Sequence, residues 1–502
     1  MDAISNLAMG FASAAAPINL LYCFIGVFLG TAVGVLPGLG PLATISMLLP
    51  LTFGLPAETS LIMLAGIYYG SQYGGSTTAI LVNLPGEASS VVTALDGYQL
   101  ARKGKAGLAL ATAAIASCFA GTIATFLLAI FAPPLSKLAL SFGPADYFSL
   151  MALGLIASII LAHGSLLHAL GMIVLGLLLG LVGTDVTSGV QRFTFGSADL
   201  FDGIDFVIVA MGFFGVGDII ANLEEAHKRT KTTEKIGSLM PTMKELRMMI
   251  APMTRGTLLG SILGILPGGG ALLSSFASYS LEKKVSRRPQ DFGKGALAGV
   301  AGPEAANNAG AQMSFVPMLT LGLPSNPVMA LMIGAMIIQG IQPGPGIMNE
   351  QPVLFWGLIA SMWIGNAMLL ILNLPLVGLW VRMIMIPYTM LFPAILLFCV
   401  VGVFSLGNST FDIYLMSIFG IVGYILSKLK CEPAPLLLGF ILGPMMEEYL
   451  RRALLLSDGN LSVFVTRPIS AILLGICAAL LISMALPSVR ATRKVAFEEE
   501  AV

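Results

Sequence analysis

The sequence predicts an all-α polytopic membrane protein with two inverted-topology repeats, each holding a re-entrant hairpin and a discontinuous helix. Three observations predict it. The 502 residues are 56% hydrophobic and only 10% charged, with a mean hydropathy of +0.90, whereas a soluble domain carries roughly 25% charged residues. Apolar runs of roughly 15–25 residues alternate with short polar loops, which is the signal of spanning helices and not of barrel strands. One punctuated pattern is also written twice. GVLPGLGP (Gly34 to Pro41) is followed by YGSQYGGSTT and NLPGE (Asn83 to Glu87). GILPGGGA (Gly264 to Ala271) is followed by PEAANNAGAQ and GLPSNP (Gly322 to Pro327).

Charge gives each element a direction, because Lys and Arg concentrate on the inner side of short loops. Arg102, Lys103 and Lys105 form one basic loop, Lys228 to Arg255 a second, Lys283 to Lys294 a third, and Arg490, Arg493 and Lys494 close the chain. The loops Thr52–Glu58, Gly183–Asp205 and Gly340–Gln351 hold only Arg192 among them, and are read as outside. The N-terminus has no basic residue before Arg102 and starts outside. Ile18 to Val35 then runs inward, PGLGP turns, and Leu42 to Leu51 returns. That arm is too short for a core about 30 Å thick, which takes about 20 residues, so the pair reads as a hairpin. From Glu58 the chain reaches Arg102 through breaks expected at GSQYGGST and NLPGE. The second copy starts inside at Arg255, turns at PGGG, returns to a basic loop, and crosses outward through breaks expected at PEAANN and LPSNP. The same motif in opposite senses is a secondary-transporter signature.

The remaining spans alternate: Gly107 to Pro133, Tyr147 to Leu161, Leu166 to Leu181, Phe206 to Ala221, Val353 to Trp380, Pro387 to Phe404, Asp412 to Leu426, Pro435 to Gly443 and Ile469 to Leu486. The resulting division is 1–222 for the first repeat, 223–255 for a basic inner linker, and 256–446 for the second repeat. An outer interfacial segment covers 447–465, and a final span with an inner C-terminus covers 466–502. MDAISNL lacks a basic n-region, so the first apolar run is expected to stay in the mature chain.

Irregular backbone at membrane depth survives only against protein or a water-filled cavity. The four breaks are therefore expected to meet near mid-membrane around a solute. Half-helix N-termini suit an anion, and C-termini with unwound carbonyls suit a cation. The expected solute contacts are Gly38, Gly40, Ser76, Thr77, Asn83 and Gly86 in the first copy. In the second they are Gly268, Gly269, Asn307, Asn308, Ser325 and Asn326. Ser71, Gln72, Thr78 and Gln312 add neutral polarity. Any single Ser, Thr or Gly also reads as a small residue that lets helices approach. Acids at depth read as functional, so Glu87 and Glu304 are the expected ion-coupling carboxylates, with Na+ or H+ as the coupling cation. Glu304 also reads as the cap of a half-helix N-terminus. Asp96 is expected near Arg102 at the inner interface.

Other chemistry is excluded or unsupported. Zero net charge suggests no nucleic-acid partner. His163, His168 and His227 lack metal spacing, and the scattered Cys23, Cys118, Cys399, Cys431 and Cys477 read as small buried hydrophobes. No GxxxxGK[ST] motif is present and no nucleophile–base arrangement stands out, so neither ATP hydrolysis by this chain nor an intramembrane enzyme is expected; no cofactor is expected either.

The stretches GVLPGLGPLATISMLLPLTFGL, YYGSQYGGSTTAILVNLPGEASSVVTALDGYQLARKGKAG, RFTFGSADLFDGIDFV, FGKGALAGVAGPEAANNAGA, PMLTLGLPSNPVMALM and LLLSDGNLSVFVTRPIS resemble TctA, the large membrane subunit of bacterial tripartite tricarboxylate transporters. The resemblance runs from about Ile18 to Pro487. It implies import of citrate or a related organic acid across the bacterial inner membrane, driven by an ion gradient. It implies a small four-helix TctB-type membrane partner and a periplasmic TctC-type solute-binding protein. It implies solute-site segments at Pro37–Pro41, Ser71–Thr78, Asn83–Glu87, Pro267–Gly270, Glu304–Asn308 and Pro324–Asn326. A gated anion channel working without a binding protein is the alternative, and an elevator-like moving core is the expected mechanics.

Overall fold

The computed structural model describes residues 3–36, 39–161, 165–185, 187–225, 237–266, 270–386 and 388–485. Helices α1 (Ala3–Ala14) and α2 (Pro17–Gly34) lead to α3 (Pro41–Leu48), α4 (Ala57–Val82), α5 (Val91–Leu100) and α6 (Ala106–Ala139). Proline sets the local boundaries: Pro17 and Pro41 occupy first-turn positions of α2 and α3, where a missing N–H costs nothing. Helix α3 has eight residues and rises roughly 12 Å, so it cannot cross a bilayer alone. Helix α4 stops where Asn83 turns left-handed, at φ 56° and ψ 30°.

The second half repeats this plan. After α7 (Pro144–Leu161), α8 (Leu166–Gly180), a two-residue hairpin β1 (Gly183–Thr184) and β2 (Gln191–Arg192), α9 (Phe206–Ala210) and α10 (Gly217–Glu225), the chain enters α11 (Met243–Ile265) and α12 (Gly270–Val285). Then come α13 (Ala298–Met313), α14 (Phe315–Leu321) and α15 (Pro327–Ile338). Here α14 stops at Gly322, left-handed at φ 70° and ψ 26°. Asn83 and Gly322 are the matching residues of NLPGE and GLPSN, so both second breaks use the same left-handed stop followed by Leu-Pro. The residues closing them, Glu87 and Asn326, are both extended, with φ −145° and −154°. The rest is α16 (Ile347–Glu350), α17 (Pro352–Asn373), α18 (Val377–Ile384), α19 (Tyr388–Gly407), α20 (Thr410–Lys428), α21 (Ala434–Leu456), α22 (Val463–Thr466) and α23 (Pro468–Ala485). Among the described residues six helices are long and apolar enough to cross a membrane, and further apolar helices are shorter.

One helix pair in each half packs backbone to backbone. Gly26, Gly30 and Gly34 of α2 face α4, and Gly66, Gly70 and Gly74 of α4 face back. A Cβ on Gly30 would lie 2.3 Å from the Ile67 carbonyl oxygen. In the second unit Gly256, Gly260 and Gly264 of α11 meet Gly302, Ala306 and Gly310 of α13, and a Cβ on Gly260 would lie 2.3 Å from the Ala306 oxygen. Spacing by four puts each set on one helix face, and in lipid such close approach supplies the dispersion that no hydrophobic effect provides.

Several expectations are corrected. GSQYGGST and PEAANN are not breaks: α4 and α13 run through them. The glycines of the first serve packing, and in the second a membrane helix tolerates Pro303 in its second turn when neighbours satisfy the freed backbone. The linker boundary at 255/256 falls inside α11, which starts at Met243 because Thr242 and Glu245 form a capping box. The boundary at 222/223 likewise falls inside α10. The boundary at 446/447 falls inside α21, whose charged end stays helical through the i,i+4 pairs Glu447–Arg451 and Glu448–Arg452. The run Val353 to Trp380 is two helices, α17 and α18. The run Gly107 to Pro133 continues as helix to Ala139.

Asp96 is not paired with Arg102. It is fully buried and joins the two units, accepting from the backbone N–H groups of Gly295 (2.6 Å) and Ala296 (2.7 Å) and from the Tyr279 hydroxyl (3.0 Å). Asp96→Ala is expected to cost about 3 kcal/mol, because charged hydrogen bonds are lost and buried N–H groups are orphaned. Asp96→Asn should recover part of this, and thermal unfolding of the purified variants checks it. At the opposite loop, Arg192 and Arg451 both pair with Asp185 and with Glu447, tying the β1–β2 hairpin to α21. The Ser188 hydroxyl and the Thr187 N–H, helped by the two arginines, hold the Asp185 carboxyl well below the usual carboxylate range.

Candidate solute-binding site

A cavity of about 520 Å³ lies where the duplicated motifs converge. Gly40, Pro41, Leu42 and Ala43 come from the start of α3, and Gly270, Ala271, Leu272 and Leu273 from the start of α12. Glu87, Ala88 and Ser89 come from the NLPGE break, and Asn326, Pro327 and Val328 from the LPSNP break. The starts of α3 and α12 each approach a break closely. A Cβ on Gly40 would lie 3.6 Å from the Gly86 carbonyl, and one on Gly270, itself at φ +48°, would lie 3.4 Å from the Asn326 amide nitrogen.

The lining residues are first-turn or capping residues of α3, α12, α15 and the 3-10 turn that enters α5. Pro433, Ala434 and Pro435 add the first turn of α21. Helix N-termini present free N–H groups and partial positive charge, so the cavity offers an anion five such ends. Tyr68 and Gln72 of α4 supply further polarity, and Phe214, Phe276 and Leu438 supply apolar wall. The wall carries Glu87, Asp218 and Glu432 and neither Lys nor Arg among the described residues.

The expected site residues separate into three groups. Gly38, Gly268 and Gly269 lie outside the described residues, as do Pro37 and Pro267. Gly40, Glu87 and Asn326 line the cavity. Asn326 also caps α15, its Oδ1 accepting from Met329 N–H (3.0 Å), and its amide donates to the Ser314 hydroxyl (2.9 Å). Gly86 and Ser325 are buried just behind the wall. Gly86 is pressed against Gly34 and Gly75, and Ser325 donates to the Ser314 carbonyl (3.3 Å). Asn307 touches the wall indirectly, donating to Glu87 Oε1 at 3.0 Å.

The remainder do not line the cavity. Asn83 is exposed and is the left-handed helix stop. Thr77 bonds back to the Tyr73 carbonyl (3.2 Å). Ser76, Asn308 and Glu304 belong to a separate buried cluster. Glu304 Oε1 accepts from Ser76 (2.8 Å) and Thr93 (2.5 Å), and its Oε2 accepts from Ser117 (3.2 Å), which in turn accepts from Asn308 Nδ2 (2.7 Å). Glu304 therefore sits within α13 and does not cap a helix N-terminus. It clamps α13 to α4, α5 and α6.

Sequence reasoning passed over Tyr68, Ser89, Ser158, Asp218 and Glu432. Asp218 carried a legible signal, a lone acid in the apolar run FVIVAMGFFGVGDII, which by itself marks function at membrane depth. It follows a π-helical stretch, Met211–Val216, and it lines both the main cavity and a neighbouring one of about 240 Å³ together with Glu432 and Pro433.

An all-α chain with membrane-length helices around a solute-sized cavity is a multi-pass membrane protein of the transporter class. The family model for the tripartite tricarboxylate transporter TctA family matches residues 20–438, and the chain belongs to that family. It is a transporter family, not an enzyme class. The chain is 60% identical over 500 residues to an uncharacterized 52.8 kDa protein in the TAR-I ttuC' 3' region of Agrobacterium vitis, covering 100% of both. It is also 60% identical to an uncharacterized protein in the TAR-II ttuC' 3' region of the same organism, over 241 residues, 48% of this chain and 100% of that one. No solved structure matches.

Proposed function

We propose that the chain is the membrane subunit of a secondary active importer for a small carboxylate such as citrate or a related organic acid. A periplasmic TctC-type protein delivers the solute, a TctB-type subunit completes the membrane unit, and an ion gradient across the bacterial inner membrane drives uptake. The observation that carries this reading is the convergence of five helix N-termini on one cavity. N–H groups and amides bind a carboxylate without a fixed counter-charge, and 520 Å³ falls within the usual range for small-molecule sites. Solute contacts are assigned to Gly40, Gln72, Ser89 and Asn326, with Glu87 and Glu304 as ion-coupling groups.

In this reading the basic loops face the cytoplasm, the two helix–turn–helix units enter the bilayer from opposite sides, and α3 and α12 are re-entrant arms. Uptake into proteoliposomes containing the subunits tests it. Uptake should saturate and should stop when the Na+ and H+ gradients are both collapsed, and uptake that survives would overturn the proposal. Asn326→Ala is expected to lower uptake at least about tenfold, since a charge-assisted hydrogen bond and a helix cap go together.

A further inference from the structure

We infer that Glu87, Asn307, Gln72 and Ser89 form a binding site for a small hard monovalent cation of the Na+ class in the wall of the solute cavity. The inference takes its role in coupling from the importer reading above, but the site is argued from its own atoms. Asn307 is fully buried, Gln72 and Ser89 nearly so, and Glu87 is 8% exposed. Three of the four line the cavity, and Asn307 reaches it through Glu87.

One buried oxygen in this group is left without a donor. Asn307 Nδ2 donates to Glu87 Oε1 at 3.0 Å, and the Ser89 hydroxyl reaches Gln72 Oε1 only at 3.3 Å. Asn307 Oδ1, on the amide that touches Glu87, has no partner at all. A buried carbonyl without a donor is costly and calls for an explanation. A carboxylate, two amide oxygens and a hydroxyl, with the Asn307 oxygen unpartnered, are the oxygen ligand set of a hard cation.

A proton does not repair the same deficit. Placed on Glu87 it gives one O–H, which leaves Asn307 Oδ1 unpaired in the observed amide orientation. If the amide turns to receive it, Nδ2 becomes the orphan instead. A cation can ligate Oδ1 and neutralise Glu87 together. It also places a positive charge beside Glu87 in a wall that carries no basic side chain among the described residues. A carboxylate solute held by the helix N-termini gains further attraction from such a charge.

The test needs no carboxylate. Thermal unfolding of the purified full-length chain is followed in NaCl against choline chloride at fixed pH and ionic strength, with radiolabelled Na+ binding alongside. Saturable stabilisation by Na+ is expected. Asn307→Ala and Glu87→Gln should weaken Na+ binding about tenfold or more, as loss of one charge-assisted contact implies. Asn307→Asp keeps an oxygen and should keep Na+ binding. Stabilisation no greater in Na+ than in choline overturns the site, as does a folded Asn307→Ala or Glu87→Gln that binds Na+ like the wild type. If Asn307→Ala does not fold, Asn307→Asp and the wild-type selectivity decide. Intact Na+ binding without carboxylate uptake would count against the importer reading and leave the site standing.

Discussion

Gly30→Ala and Gly260→Ala are each expected to lower the unfolding temperature of the purified chain sharply, and Gly30→Leu is expected to prevent accumulation of folded protein. The reason is geometric. The added Cβ at Gly30 would sit 2.3 Å from the Ile67 oxygen and 2.7 Å from its Cα, and at Gly260 2.3 Å from the Ala306 oxygen and 2.8 Å from its Cα. These obstructions are backbone, so no side-chain rotation relieves them, and the two helices must separate instead. In a free helix alanine is better than glycine by about 1 kcal/mol. Overpacking costs about 1–3 kcal/mol, and more where nothing can give, so the sum is destabilising.

The control is internal. Gly171 in α8 and Gly475 in α23 have nothing within 4 Å of a Cβ, and alanine at either position should be neutral or stabilising. Gly30→Ala that unfolds at the same temperature as Gly171→Ala would show that α2 and α4 do not pack as described.

That pair of helices also marks where the sequence was legible and where it misled. The LPG and LPS breaks could be read directly, because a proline removes a donor and fixes φ, and because Asn83 and Gly322 are residue types that tolerate a left-handed stop. Their joint presence at one cavity followed from a chemical argument, since irregular backbone in oil must line something. The glycines of YGSQYGGST were read by composition as a break, yet their spacing told otherwise. Gly66, Gly70 and Gly74 recur every fourth residue, which is the period of a helix face.

Glu304 was found by its depth, but its partners were not foreseeable. Ser76, Thr93 and Ser117 are separated from it by 228, 211 and 187 positions, and no periodicity encodes which hydroxyls a fold will bring to one carboxylate. The same holds for Asp96, whose two backbone donors lie about 200 positions away. Glu432 was missed for a plainer reason: it stands in a short loop, where an acid carries no signal.

The Glu304 cluster gives the second large effect. Glu304 is 1% exposed, and its carboxylate receives hydroxyls from α4, α5 and α6 while its own helix belongs to the second unit. Glu304→Ala removes the one acceptor those hydroxyls share. Each buried hydroxyl left unpaired costs about 1–3 kcal/mol, and the vacated volume adds to that. A loss of roughly 3–5 kcal/mol is therefore expected, a large part of the stability of a typical protein. Glu304→Gln keeps an oxygen toward Ser76 and Thr93, so it should fold with most of its stability. On the importer reading proposed above, in which Glu304 is an ion-coupling group, its uptake should nonetheless fall, because an amide cannot carry a charge through the cycle. A double-mutant cycle separates the cluster from generic loss of packing. Thr93→Val alone should cost about 1 kcal/mol or more, yet almost nothing in the Glu304→Ala background, giving a coupling of about 1–3 kcal/mol between residues 211 positions apart. Additive losses would mean that the carboxylate does not hold α5, and the contact between the two units would have to be sought in Asp96 and its partners Gly295, Ala296 and Tyr279.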